Sequence, residues 1–78
     1  MTKPQTIDEG VTRSLEKYFR DLEGAPAGCI YDMVIRAAER PMLEVVMHRA
    51  HGNQLRASEM LGINRNTLRK KLQLHGML

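Results

Sequence analysis

The side chains best suited to chemistry in this sequence are those of Arg, Lys, Asn and Thr, and they gather in its last third. Residues 48–78 carry six Lys and Arg side chains against one acid, Glu59, a net charge of +5, whereas residues 1–47 sum to −2. Cations concentrated on one segment favour a polyanion as its partner. A solvated basic helix explains the charge alone equally well, so residue spacing has to decide.

The spacing of the reactive residues indicates neither catalysis nor metal binding. Thr67 and Ser58 have no His and Asp arranged near them in sequence, so nucleophilic catalysis lacks support. His48 and His51 stand three residues apart, but no carboxylate or thiol completes a metal site. The single cysteine, Cys29, can form no disulfide within the chain. We therefore expect no enzyme, no cofactor and no metal.

Apolar residues recur at helical spacing and predict an all-α fold of four helices. The first helix is expected to begin just after a capping box at Thr6 and to end before Gly24, and the other expected ranges are about 29–50, 54–61 and 65–75. Pro41 lies in the middle of the 29–50 range, where one kinked helix is favoured over two helices broken at the proline. No apolar run approaches the ~20 residues of a membrane span, so we expect a cytoplasmic protein with no membrane partner.

The last two predicted helices have the spacing of a helix-turn-helix. Gly62 stands between them and can adopt the left-handed backbone that a tight turn requires. The expected inward-facing residues are Ala57, Met60, Leu61, Ile63, Leu68 and Leu72.

The second of these two helices offers polar side chains on the rest of its surface. Arg and Asn can each make paired hydrogen bonds to a purine edge in the major groove of DNA. Lys, Thr and the backbone N–H groups at a helix start suit phosphates. Together with the local charge, this pattern favours double-stranded DNA as the partner.

Several stretches resemble the Fis family, the factors for inversion stimulation. GNQ at 52–54, LGINR at 61–65 and TLRKKL at 67–72 are similar to the DNA-binding end of that family. PMLEVVM at 41–47 resembles the stretch before it, and Tyr18-Phe19 resembles the end of the first core helix. NtrC-type activators end in a similar domain, but the upstream likeness and a start at Met1 favour the free-standing Fis type.

The resemblance implies an intertwined homodimer with four helices per subunit and a C-terminal helix-turn-helix. We expect a short flexible tail at 1–7, a two-helix dimerisation core at 8–51 and a DNA-binding unit at 52–78. The expected dimer-core residues are Val11, Leu15, Tyr18, Phe19, Leu22, Ile30, Val34, Leu43, Val46 and Met47.

The resemblance also implies a nucleoid-associated protein that binds and bends duplex DNA and regulates transcription. Arg65 is the expected main reader of base edges and Arg69 the next, while Lys70 and Asn53 hold phosphate. The full set of expected DNA-binding residues is Asn53, Arg56, Asn64, Arg65, Asn66, Thr67, Arg69, Lys70 and Lys71.

Three features depart from the family pattern. Only about seven residues precede the first predicted helix, too few for the family's N-terminal β-hairpin arms, which argues against contact with DNA invertases. Leu55 stands where the family has a small hydroxyl, so that phosphate contact is lost. Asn66 replaces the Gly of the enteric form and brings a side chain near the bases.

Two other functions remain open on the sequence alone. One is a detached DNA-binding domain of the NtrC-activator type, which would depend on another subunit for regulation. The other is a protein-interaction module in which the helix-turn-helix is only a scaffold. It would form an intact dimer that does not bind DNA at moderate salt.

Overall fold

The computed structural model describes residues 6–78, and within that range every regular element is a helix. The helices are α1 (Ile7–Leu22), α2 (Ile30–Arg49), α3 (Gln54–Leu61) and α4 (Arg65–Leu74). The predicted all-α class and its four helices are therefore confirmed. Residues 1–5 of the expected tail lie outside the described residues, and Ile7 of that tail is the first residue of α1.

Local signals at both ends explain the extent of α1. Thr6 has an extended backbone, and its hydroxyl oxygen accepts a hydrogen bond from the Glu9 N–H at 3.4 Å, as an N-cap residue does. The acids Asp8 and Glu9 lie in the first turn, where the helix dipole favours negative charge. After Leu22 the backbone turns left-handed at Glu23 and Gly24, which ends the helix.

Helix α2 continues through Pro41 without a break. The structure thus confirms one helix rather than two, with bounds one residue inside the predicted range at each end. Proline has no N–H, so the carbonyl of Ala37 loses its usual partner four residues on. The chain forms two compact units whose border falls within α2, one ending at Val34 and the other formed by Ile35–Leu78.

The unit formed by Ile35–Leu78 has one apolar core that joins the second half of α2 to α3 and α4. Alanines stand at two of its five central positions, where they let the helices approach closely. Each buried leucine contributes roughly 1.5–3 kcal/mol relative to an exposed one. The central residues, all at most 1% exposed, are Leu43, Ala50, Ala57, Leu68 and Leu72. The partly buried residues around them are Val46, Met47, Leu61, Ile63 and Met77.

One inward-facing prediction is wrong. Met60 is 51% exposed, whereas Ser58 is buried and its hydroxyl donates to the Leu55 carbonyl at 2.7 Å. Positions 54, 57, 58 and 61 share one face of α3, and Met60 lies off that face although its side chain is apolar. Helical position, and not side-chain type, decided which residue of α3 is buried.

A tight turn sets the path from α3 to α4. Gly62 has a φ of 74°, and its N–H bonds to the carbonyls of Ser58 and Glu59. The Ile63 N–H bonds to the Ser58 carbonyl at 3.1 Å, the second bond of a Schellman turn. The predicted role of Gly62 is confirmed, because a side chain at this φ would be strained.

A polar cluster adds a second link between α2 and α4. The Glu39 carboxylate accepts from Lys71 Nζ at 2.5 Å and from His75 Nε2 at 3.0 Å. Arg40 donates from its guanidinium to the His75 carbonyl at 2.8 Å, next to its own pair with Glu44 at 3.3 Å. These contacts hold the last turn of α4 against α2.

The environment of Glu39 lowers the pKa of its carboxyl below the ordinary value of 4.5. The hydrogen bond from Lys71 is the largest cause and the bond from His75 the next, because both favour the ionised form. Burial acts in the opposite direction and is outweighed. The cluster therefore depends on an ionised Glu39.

The unit that ends at Val34 is built differently, because none of the described residues of α1 is buried. The apolar side chains of α1 nevertheless form a helical stripe. Tyr18 and Phe19 contact edge to face with ring centroids 5.6 Å apart, and Phe19 is 52% exposed. The half-buried members of the stripe are Val11, Leu15, Tyr18 and Leu22.

Across residues 6–78, no helix combines the length and the apolar character that a bilayer crossing requires.

Truncation of a central leucine tests the core. We expect Leu68→Ala to lower the free energy of unfolding by about 2–5 kcal/mol, since it leaves a cavity among packed helices. Leu55→Ala is the control, because Leu55 is 52% exposed, and should change stability by no more than about 0.5 kcal/mol. Urea unfolding followed by circular dichroism measures both, and equal losses would contradict this core.

The Glu39 cluster predicts a pH-dependent contribution to stability. The folded-state pKa of Glu39 lies below 4.5, so its ionised form stabilises the fold above that pH. The stabilisation is lost as pH falls through the folded-state pKa. At neutral pH, Glu39→Gln should lower the unfolding free energy by about 1–3 kcal/mol. In urea unfolding at stepped pH, the gap between the two proteins should close in acid, and a constant gap would refute this role.

Candidate nucleic-acid interface

The outer face of α4 presents a row of exposed polar side chains. Asn66, Arg69, Lys70 and Gln73 are spaced i, i+3, i+4 and i+7, so they lie along one side of the helix. The core residues of α4 occupy the opposite side. The helix has no acidic residue anywhere along its length. Such a row can donate several hydrogen bonds to one anionic surface.

Arg65 and Thr67 flank this row at the start of α4. Both are exposed, and Arg65 is the first residue of the helix. The first turn of a helix also leaves backbone N–H groups without intrahelical partners. The start of α4 therefore combines a long cationic side chain, a hydroxyl and backbone donors.

Asn53 and Asn64 are the N-caps of α3 and α4. The Asn53 side-chain oxygen accepts a hydrogen bond from the backbone N–H of Arg56 at 3.1 Å. The Asn64 side-chain oxygen accepts one from the backbone N–H of Asn66 at 2.7 Å. Both were expected as DNA contacts from the sequence. The structure shows that each also sets the start of its helix, with its amide NH₂ left as a donor.

The exposed cations of this surface carry charge that no acid among residues 6–78 neutralises. In the part of the chain that the structure describes, Arg56, Arg65, Arg69 and Lys70 form no ion pair. Glu59 on α3 is the one acid among residues 48–78. The surface can therefore attract phosphates, and the attraction will weaken as salt rises.

Lys71 differs from the other expected contacts. It is the one member of the nine-residue set that is not exposed, and it pairs with Glu39 on α2. Position 71 follows Lys70 by one residue, which turns it toward the inner side of α4. The other eight are all exposed and lie on α3, on α4 or at their N-caps.

Sequence reasoning missed two polar residues that position α4. Glu39 and His75 are 36 residues apart, and their contact joins two different helices. Local spacing carries no signal for such a pair. Gln73 is not in the expected binding set, although its i+7 spacing from Asn66 indicates the same face.

The same residues offer no site for a metal. Within residues 6–78, no three His, Cys, Asp or Glu side chains are grouped so that they could hold a metal ion. The chemistry of the surface is hydrogen bonding and charge.

Comparison with known proteins agrees with this architecture. The sequence profile of the bacterial regulatory proteins of the Fis family matches residues 34–74, which include the second half of α2, α3 and α4. A Fis-like DNA-binding protein of Ralstonia nicotianae is 56% identical over 72 residues, covering 92% of this chain and 94% of its own length. Fis-like DNA-binding proteins of two Neisseria meningitidis serogroups, A and B, are each 51% identical over 72 residues, covering 92% of this chain and 91% of theirs.

These likenesses extend well beyond the helix-turn-helix, since 92% of the chain is covered by each of the relatives. The family description names regulatory proteins, which agrees with the expectation that the chain is not an enzyme. On this evidence, the chain belongs to the Fis family of bacterial regulatory proteins.

Proposed function

We propose that this protein binds duplex DNA as a homodimer, bends it and regulates transcription. The observation that carries the proposal is the exposed, acid-free row on α4, presented by a helix-turn-helix whose opposite side is packed in the core. The names of the relatives, Fis-like DNA-binding proteins, support the same partner. Action on the nucleoid follows from DNA as the partner.

The dimensions of α4 suit the major groove. Ten residues span about 15 Å, and the groove of B-DNA is wide enough to admit a helix. Arg65 would be the main reader of a purine edge and Arg69 the next, because a guanidinium can bond O6 and N7 of guanine together. Lys70 and Asn53 would hold phosphates. The remaining contacts would come from Arg56, Asn64, Asn66 and Thr67.

A second copy of the chain is the best cover for the exposed apolar surface of α1. Helices in proteins draw most of their stability from packing, and α1 is an amphipathic helix with no buried residue. Without a packing partner it is therefore not stable. Phe19 and Ile7 are 52% and 86% exposed. Packing against a partner subunit would remove this surface from water.

The second half of α2 supports the same proposal. Ile35, Ala38, Met42 and Val45 are all exposed, and their spacing of three and four residues is that of a helix–helix seam. Leu43, expected in the dimer core, is fully buried within its own chain and has no surface left for a partner. The seam therefore lies beside the subunit core and not through it.

Bending follows if the two copies of α4 lie closer together than one turn of DNA. Half-sites that match a straight duplex are spaced about 34–36 Å, one helical turn, apart. A dimer with a shorter spacing reaches two successive major grooves only when the duplex curves toward it. Sequence preference would then come partly from how easily the minor groove between the half-sites is compressed.

Binding to plain duplex DNA is the first test. If a dimer neutralises ~6–10 phosphates, log K against log salt should have a slope of about −5 to −9. Fluorescence anisotropy with a duplex of about 30 base pairs, long enough for one bent site, measures the slope. Sedimentation of the same sample gives the mass of the protein. A monomer at micromolar concentration, or a slope near zero, would refute the proposal. A dimer without DNA binding would favour an interaction module.

The assigned roles of Arg65 and Lys70 separate base reading from phosphate binding. We expect Arg65→Ala to abolish sequence preference and to cost about 1–3 kcal/mol at preferred sites only. Lys70→Ala, the matched control on the same helix, should weaken binding to all sequences alike and lower the salt slope by about one per subunit. If Arg65→Ala leaves the footprint on preferred DNA unchanged, Arg65 is not the main reader of base edges.

A further inference from the structure

The Glu39 cluster lies on the side of α4 away from the exposed row. Lys71 and His75 are spaced i and i+4, and each contacts a different oxygen of the same carboxylate, Oε2 and Oε1. We infer that Glu39 is a positioning residue that sets the orientation of α4 for reading DNA, and that Lys71 acts through it and not as a phosphate contact. This inference rests on the proposed DNA binding.

The geometry of the cluster restrains α4 more than a single contact would. Two contacts one helical turn apart oppose both rotation of α4 about its axis and sliding along it. A third contact, from the Arg40 guanidinium to the His75 carbonyl at 2.8 Å, holds the backbone at the end of the helix. Charge-assisted hydrogen bonds of this kind are short and directional.

Burial distinguishes this cluster from the exposed Lys17–Asp21 ion pair of α1. The side chains of Glu39 and His75 are 12% and 7% exposed, and that of Lys71 is 33% exposed. The side chains of the Lys17–Asp21 pair, by contrast, are 71% and 64% exposed. Exposed pairs contribute little, whereas removal of one partner from a desolvated pair leaves the other without compensation.

Lys71 of the cluster and the exposed row belong to the same helix, α4. Lys71 directly follows Lys70, so rotation of α4 that breaks the Lys71–Glu39 contact displaces Lys70 and Arg69 as well. Paired hydrogen bonds to a base edge require a fixed approach of the side chain. Loss of the cluster should therefore reduce discrimination between sequences before it reduces attraction to phosphate.

Positioning and simple charge predict opposite effects of Glu39→Gln. The substitution removes one negative charge and releases Lys71, so charge alone would tighten binding to every duplex. If Glu39 positions α4, binding to preferred DNA weakens while binding to random DNA does not. The measured quantity is therefore the affinity for preferred DNA divided by the affinity for random DNA. Positioning by Glu39 predicts that the substitution lowers this ratio, whereas a change in net charge alone does not lower it.

The experiment measures that ratio for the full chain. A preferred duplex is selected from a random pool with the wild-type protein, and binding to it and to a random duplex is measured at one salt concentration. We expect Glu39→Gln to lower the ratio roughly tenfold, about what one mismatched base pair costs. Glu23→Gln makes the same charge change at an exposed position that ends α1, and should leave the ratio unchanged.

Variants of Lys71 complete the test. Lys71→Arg keeps the cation and should retain the ratio, while Lys71→Gln should lower it as far as Glu39→Gln does, with no further loss in the double variant. Circular dichroism at the assay temperature confirms that each variant is folded. Uniform weakening on all duplexes by Lys71→Gln, with a salt slope smaller by about one per subunit, would make Lys71 a phosphate contact and overturn the inference.

The two hypotheses fail in different ways. If the wild-type protein does not bind duplex DNA, the proposed function is wrong. If the wild type binds and prefers certain sequences, but Glu39→Gln keeps the same ratio as Glu23→Gln, then DNA binding stands and the positioning role of Glu39 is refuted.

Discussion

The apolar contact between the second half of α2 and the two helices that follow it is the interaction on which the rest of the structure depends. Leu43, Leu68 and Leu72 are its large members, and Ala50 and Ala57 keep the helices close enough for those leucines to meet. Helices as short as α3 and α4, of eight and ten residues, are not stable in isolation. Their shape, and so the shape of the surface they present, comes from this core.

The core also divides the cations of α4 into two kinds. Lys71 lies toward α2 and meets an acid there, whereas Arg65, Arg69 and Lys70 lie on surfaces without a partner from the described chain. Adjacent residues in sequence thus have opposite electrostatic surroundings. One side of the helix is neutral and fixed, and the other keeps its charge for an external anion.

Much of this arrangement could be predicted from the sequence because it depends on local signals. Thr6 and Asn64 start helices, and Gly62 ends one, through hydrogen bonds to residues no more than four positions away. These helix ends lie where the sequence spacing predicts them. Leu68 and Leu72 follow from helical periodicity. These features depend only on residues close in sequence, so the sequence alone predicts them.

The remaining features depend on contacts between distant parts of the chain. The partner of Lys71 is 32 residues away in sequence, and nothing near Lys71 distinguishes it from Lys70 except its helical angle. Met60 is apolar, but it lies off the face of α3 that packs against the core. In both cases the three-dimensional neighbour, and not the residue type, decided the outcome.

The use of Asn53 and Asn64 as helix caps restricts how their amides can be oriented. An asparagine identifies adenine by donating to N7 and accepting from the N6 amino group at the same time. At positions 53 and 64 the accepting oxygen is already bonded to the backbone of the helix that it begins. That bond fixes the orientation of each capping amide, although its oxygen keeps a second lone pair. The Asn66 side chain caps no helix, so under the proposed DNA binding it is the asparagine whose amide turns most freely to meet a base edge.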